Sequence, residues 1–378
     1  MNKNLIKNRA WIEVDLNNIE NNINEIRKII HKNTKIMAVV KANAYGHGEV
    51  EVSKKLNKIG ILDFAVATLD EGIILRKAGI KGSILILGYT DIQNIKMVQK
   101  YDLIQTIVDF EYAKEVEKLN LDKKLNVHIK INTGMNRLGE SYKNIDNLIK
   151  IYNMKNLNIL GTFTHLCVSD SLFEDNIKFT KKQIDNFFKA IDTLKLNNIN
   201  VKKIHIQASY GIINYNDLEC DYVRPGIIMY GVYSTLQDKK SCKIKLNLKP
   251  ALKLKSKIVS IRNIQKGESV GYGRAFIAKK DMKIATVSIG YADGYPRSLS
   301  SKDVYVLVND KFAKIIGRIC MDQMIVDVSN ITNIEVGDIV TLLDDIEEIS
   351  AENISNLSGS ISNELLSRLG SRLPIIYN

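Results

Sequence analysis

Cysteine is scarce in this sequence: four residues in 378, at positions 167, 220, 242 and 320, with no C-x-x-C pair among them. That scatter excludes the usual zinc and dithiol motifs, so no metal site is expected, and without a secretory leader the thiols read as reduced. Also missing is any apolar run near the roughly 18 residues that cross a bilayer. The opening MNKNLIKNRAW has no apolar segment of the secretory kind, and the chain reads as cytoplasmic with no membrane segment of its own. Aromatic residues are only 7%. The net charge of +12, from 54 Lys+Arg against 42 Asp+Glu, raises the question of a nucleic-acid partner. The lysines, however, interleave with Asn, Ile and Asp rather than forming blocks, which fits a basic solvated surface better than a nucleic-acid groove. Low-complexity tracts and sequence repeats are absent.

What is present is a rhythm. After the opening strand WIEVD and a helix carrying Leu16, Ile19, Ile23, Ile26 and Ile30, eight short apolar runs follow, at 36–41, 64–68, 84–88, 103–108, 127–132, 160–166, 204–209 and 222–227. Amphipathic helical stretches lie between several of them, the clearest over 179–195, where Ile184, Phe187, Phe188, Ile191 and Leu194 share one face. Eight strands alternating with helices over 200 to 250 residues fit an α/β fold, a (β/α)8 TIM-type barrel, better than an open doubly wound sheet. Beyond residue 240 the strands are separated only by turns, as in VYVLVN-DK-FAKIIGRIC, which marks a mostly β C-terminal domain. The expected division is a barrel over 11–238 and a β domain over 239–378, joined across the polar stretch 234–243, with the segment 1–10 added to the β domain.

Barrel enzymes build their sites at the C-terminal ends of the strands. Lys41, Lys130, Arg137, His165, His205, Ser209 and Arg224 all fall there. Singly, each has a plainer explanation: a strand-end lysine is more often solvated than catalytic, and a lone histidine more often a satisfied core residue. Together they are harder to dismiss, because each buried charge needs a partner. Several cations at one mouth imply an anionic ligand. Gly46, Gly48 and Gly226, with Ser209 and Tyr45, could supply donors to a phosphate. A lysine beside a phosphate site points to a Schiff base with pyridoxal phosphate, since a partly desolvated amine loses its charge more easily and attacks an aldehyde.

The segment AVVKANAYGHG (38–48) resembles the pyridoxal-phosphate lysine motif of the alanine racemase family. The similarity continues in order through HIKINTGMNRLG, FTHL, VRPGI, VGYGRAF, IGYADGYPR and GRICMDQ, from about Trp11 to Pro374. It implies a barrel bearing pyridoxal 5'-phosphate, a C-terminal β domain, and a homodimer with shared active sites. Matched by position, Lys41 carries the cofactor, Tyr45, Ser209, Gly226 and Ile227 hold its phosphate, and Arg224 faces its ring nitrogen with support from His165 and His205. An arginine in that place does not release its proton, which discourages protonation of the cofactor itself and with it transamination. Racemisation needs a base on each face of the substrate; the resemblance makes Lys41 one and Tyr272, contributed by the other subunit, the second. It places Arg137 against the substrate carboxylate or a cofactor oxygen, Met321 and Asp322, from the other subunit, beside the amino-acid substrate, Tyr291 on the access path, and Lys130 at a position often carbamylated to hold that arginine.

Two departures bear on the substrate. Ala208 stands where an asparagine is usual, and Ser371 in LSRLGSRLP is matched to a gate tyrosine, which would enlarge the pocket enough to admit serine as well as alanine. These segments are most similar to the racemase domain of the membrane serine racemases associated with vancomycin resistance, so the chain could also be the cytoplasmic domain of a membrane-anchored protein. The expected role is D-amino-acid supply for peptidoglycan precursors. The competing functions are a decarboxylase on the related barrel, which would need a cysteine and acidic residues for a dibasic substrate, and a non-enzymatic pyridoxal-phosphate homeostasis protein, which would lack the β domain.

Overall fold

The computed structural model describes residues 9–378; of the segment expected to join the β domain, residues 1–8 lie outside the described residues. Eight parallel strands form the first unit: β2 (Lys35–Val39), β3 (Asp63–Val66), β4 (Ser83–Ile86), β5 (Ile104–Ile107), β6 (Leu125–Asn132), β7 (Leu157–Phe163), β8 (Lys203–Ala208) and β9 (Tyr222–Arg224). Each pairs with the next, and β9 returns to β2 through Tyr222 opposite Lys35, so the sheet closes. These are the eight runs expected from the sequence.

Strand alternation explains why the runs are apolar throughout. In β2, Ile36 and Ala38 face the surrounding helices while Met37 and Val39 face the barrel interior with Ala65, Leu85, Ile104 and Tyr222. On the opposite side of the interior the inward positions are polar: His128, Lys130, His205 and Arg224 are all buried. The barrel is thus half apolar plug and half polar wall. Its outer layer includes the helix Glu174–Leu196, whose Ile184, Phe187, Ile191 and Leu194 are buried at helical spacing, with Phe188 packed at the margin.

The second unit is an eight-stranded sheet built on the long strand β10 (Leu252–Ile264), with β11 (Met282–Val287), β12 (Tyr305–Val308), β13 (Lys311–Ile316), β14 (Met324–Asp327), β15 (Ile339–Leu343) and β16 (Ile375–Tyr377). Its eighth strand is β1 (Ala10–Val14), which pairs antiparallel with β10 and parallel with β16. The expected division placed residues 11–14 with the barrel; they hydrogen-bond into the other sheet. An alternating strand such as WIEV carries no mark of which sheet will accept it, because that is decided by a partner some 240 residues away. Arg9 adds a clamp, donating to the buried Asp293 carboxylate and to the Ser288 carbonyl. Among the described residues no helix is long and apolar enough to cross a membrane.

Candidate active site

At the C-terminal mouth of the barrel lies a cavity of about 630 Å³. Lys41, Tyr45, Lys130, Arg137, His165, Ser209, Arg224, Gly226 and Ile227 line it, and His205 stands directly behind Arg224. The polar strand ends named from the sequence therefore do converge.

Lys41 follows β2 and opens an unusual turn. Ala42, Asn43, Ala44 and Tyr45 all have φ between 52° and 53°, a left-handed helical turn built from residues with side chains. Such backbone costs about 1–2 kcal/mol per residue and persists only where neighbours over-determine it. Here the Glu71 carboxylate accepts from the backbone N–H groups of Ala42 (2.7 Å) and Ala67 (2.6 Å). At the other end the buried His47 Nδ1 lies 3.1 Å from the Ala44 carbonyl and 2.9 Å from that of Tyr45. Gly46 and Gly48 were expected near a phosphate, but their N–H groups bond the carbonyls of Ala42 and Asn43. A Cβ on Gly46 would stand 2.3 Å from the Leu366 carbonyl oxygen, and one on Gly48 1.8 Å from the Tyr377 hydroxyl. Their role is close packing of the two units, not ligand binding.

Gly226 is different. A Cβ there would sit 2.8 Å from the Tyr45 hydroxyl and 3.8 Å from Ser209 Oγ, filling a small hollow in the cavity floor. Ser209 Oγ accepts from the Gly226 N–H at 3.0 Å, which leaves its own hydrogen free to donate. Burial pushes the Tyr45 phenol up to about 12, so it remains a donor at neutral pH. Two hydroxyl donors over a glycine hollow, among cations, make a cradle suited to a phosphate.

The electrostatics follow from four cations around one cavity, Lys130 and Arg224 buried, Lys41 half-buried and Arg137 exposed. Desolvation lowers the Lys41 ammonium, Arg137 lowers it further, and Glu71 opposes both. Lys130 is brought down to about 8, by burial first and then by Arg137, Arg224 and Lys41. It stands 5.5 Å over the Phe163 ring and forms no ion pair with a carboxylate among the described residues. His165 falls to about 3 through burial and the same cations, and is neutral. Arg224 is lowered by burial to about 10 and keeps its charge. It donates to the Thr164 carbonyl (2.8 Å), the Ile206 carbonyl (3.0 Å) and His205 Nδ1 (2.7 Å).

Tyr272, Tyr291, Met321, Asp322 and Ser371 are not in this cavity. Tyr272 is 70% exposed, in a turn whose flanking Gly271 and Gly273 have positive φ. Tyr291 and Met321 are also exposed, on loops tied together by the Tyr291 N–H to the Cys320 carbonyl and the Ala292 N–H to that of Met321. Asp322 accepts from Arg372 at 2.7 Å. Ser371 requires a correction: it lies exposed beside that arginine, away from the mouth of its own chain's cavity. The residues that reach the mouth from this part of the chain are Ile361 and Asn363, because the Ser362 N–H bonds the Ser234 carbonyl (2.9 Å) and pins the start of the helix Ser362–Ser367 there. The Asn363 Oδ1 is buried without a hydrogen-bond partner. Sequence reasoning missed Asn363, Asp170, Tyr210 and Glu71. Only Glu71 left a signal, as the third residue of a Thr68 capping box, and that reads as helix start rather than site.

Residues 14–234 match the family model described as alanine racemase, N-terminal domain, and residues 251–377 that of the alanine racemase C-terminal domain. The chain belongs to the alanine racemase family. An amino-acid racemase of Enterococcus faecalis is 46% identical over 370 residues, covering 97% of this chain and 51% of that protein. A serine/alanine racemase of Enterococcus gallinarum is 39% identical, with coverage of 97% and 51%. The chain thus spans about half the length of these Enterococcus relatives. Among solved structures, alanine racemase of Clostridium difficile 630 superposes with a TM-score of 0.91 at 35% identity, covering 99% of this chain and 96% of that one. Pyridoxal 5'-phosphate is the cofactor of the family. The cradle of Tyr45, Ser209 and Gly226, in the cavity that Lys41 also lines, fits it.

Proposed function

We propose that this chain is a pyridoxal-phosphate-dependent racemase that interconverts the L and D forms of serine, alanine or both, as a homodimer whose sites are each completed by the other copy. The observation that carries this reading is the split of the machinery. The cavity holds an amine, an anion cradle and the cations, while Tyr272, Tyr291 and Met321 stand exposed on the second unit with no role in their own chain's cavity.

Lys41 would hold the cofactor through its amine, Tyr45, Ser209, Gly226 and Ile227 its phosphate, and Arg224 its ring nitrogen. When bound, the group supplies a conjugated ring that draws electron density from the α-carbon of an amino acid. The chain's part is to bind, orient and move protons. Arg137 stands at the mouth as a cation for the substrate carboxylate, with Met321, Asp322 and Tyr291 brought against the substrate and its access path by the partner copy. Lys41 Nζ, made less basic by burial and Arg137, takes or returns the α-proton on one face. The partner subunit's Tyr272 Oη does the same on the other. Arg224 keeps its proton throughout, so that proton transfer is confined to the α-carbon.

Lys130 is the second amine of interest. An amine near 8 among three cations is partly neutral at physiological pH and open to carbon dioxide; as a carbamate it becomes an anion facing Arg137. A carbonyl resonance from ¹³C-bicarbonate, present in the wild type and absent from Lys130→Ala, is the expected result; equal spectra would remove the modification.

The reading places the protein in the cytoplasm as a source of D-amino acids for peptidoglycan precursors. Its direct test is chiral analysis of products from L-serine and L-alanine. D product from at least one is expected with the wild type, formed about 10²–10⁴-fold more slowly with Lys41→Ala. A wild-type protein carrying bound cofactor that racemises neither would overturn it.

A further inference from the structure

Behind Arg224, away from the cavity, the barrel interior holds a chain of two buried imidazoles. Arg224 Nη1 lies 2.7 Å from His205 Nδ1, and His205 Nε2 lies 2.8 Å from His128 Nδ1. His205 is fully buried, stacked on Phe163 with ring centroids 4.7 Å apart and planes 6° apart, and edge-on to Tyr222. His128 projects inward from β6 and is 3% exposed. Its ring lies flat against Gly161 of β7: a Cβ there would come within 2.7–2.9 Å of three of its ring atoms.

The direction of these bonds is forced. A guanidinium only donates, so the His205 Nδ1 facing it must be an acceptor and carry no hydrogen. His205 then has its single hydrogen on Nε2 and donates to His128 Nδ1, which leaves His128 protonated on Nε2. Burial, with Arg224 and then Lys203 nearby, lowers His128 to about 3, and burial with Arg224 and His128 holds His205 well below 6.5, so both rings are neutral. The other tautomer of His205 would set an N–H against the Arg224 N–H and leave Nε2 without a hydrogen.

We propose that His128 is a positioning residue for Arg224: by accepting at Nδ1 it locks His205 in the one tautomer that can accept from Arg224, and so fixes which edge of the guanidinium faces the cavity. Its effect on catalysis rests on the racemase reading above, whereas the tautomer does not. Gly161 belongs to the device, since only a residue without a side chain leaves room for the His128 ring at this depth. Groups that orient metal-ligating side chains from behind change affinity by about 10–100-fold when removed, and the lower end of that scale is the effect expected for an arginine held in the same way.

The experiment is ¹⁵N NMR of histidine-labelled protein, with and without pyridoxal phosphate, together with titration of the cofactor into the apo protein. In the wild type, His205 should show a bare Nδ1 and a protonated Nε2. His128→Leu should weaken pyridoxal phosphate binding by about tenfold and mix the His205 tautomers. His128→Asn, which keeps an acceptor near the position of Nδ1, should restore both. Gly161→Ala, which leaves His128 in place chemically but displaces its ring, should reproduce the leucine phenotype. A wild-type His205 protonated at Nδ1, or a His128→Leu protein whose His205 tautomer is unchanged and whose affinity stays within about twofold, overturns the proposal. Loss of racemase activity in the wild type would not, because neither measurement reads turnover.

Discussion

Co-folding equal amounts of Lys41→Ala and Tyr272→Phe chains should yield about a quarter of wild-type racemase activity, although each variant alone should be slower by about 10²–10⁴-fold, the usual loss for a positioned acid or base. The arithmetic is that of a two-fold dimer. Random pairing makes half the dimers mixed, and in each of these one site has both defects and the other has none. The expectation comes from the distance built into the chain: Lys41 lines the barrel cavity, whereas Tyr272 sits 70% exposed on the second unit and does not reach it. The separate proteins and the mixture are assayed for D-serine and D-alanine under identical conditions. A mixture no more active than its components would mean that the two residues do not act across subunits, and the two-face account would fail.

The second large effect concerns substrate choice and follows from the correction at the cavity mouth. Asn363 lines the mouth and its Oδ1 is buried without a partner, which costs about 1–3 kcal/mol unless the side chain turns toward the cavity and a ligand supplies the missing donor. A serine hydroxyl is such a donor, and the methyl group of alanine is not. Asn363→Ala should therefore lower kcat/KM for L-serine by about tenfold, equivalent to ~1.4 kcal/mol, and change that for L-alanine by less than about threefold. The ratio is the informative quantity, since a general distortion of the mouth would lower both. Equal losses would show that Asn363 does not read the side chain.

The first of these cases shows where the sequence was sufficient. Lys41, Lys130, His165, Ser209 and Arg224 could be placed at one mouth because each ends a strand of the parallel barrel, and parallel strands put all their C-terminal ends on one side. The strands themselves were readable because both faces of each are buried, which leaves runs such as IMAVV and ILILG with no polar alternation to obscure them. The first helix was readable for the complementary reason: Asp15 caps it and Ile19, Ile23 and Ile26 fall on one buried face.

What the sequence by itself determined, then, was element type, the identity of the cations and the family to which they belong, all of which depend on residues close together in the chain. Only the tertiary structure decided that β1 joins the second sheet, that Gly46 and Gly48 make room for Leu366 and Tyr377, that Asn363 rather than Ser371 reaches the mouth, and that His128 backs His205. Each of those is a contact between segments some 70 to 330 residues apart. Local propensity and periodicity carry no information about such pairings, because they are selected by the packing of whole units against one another.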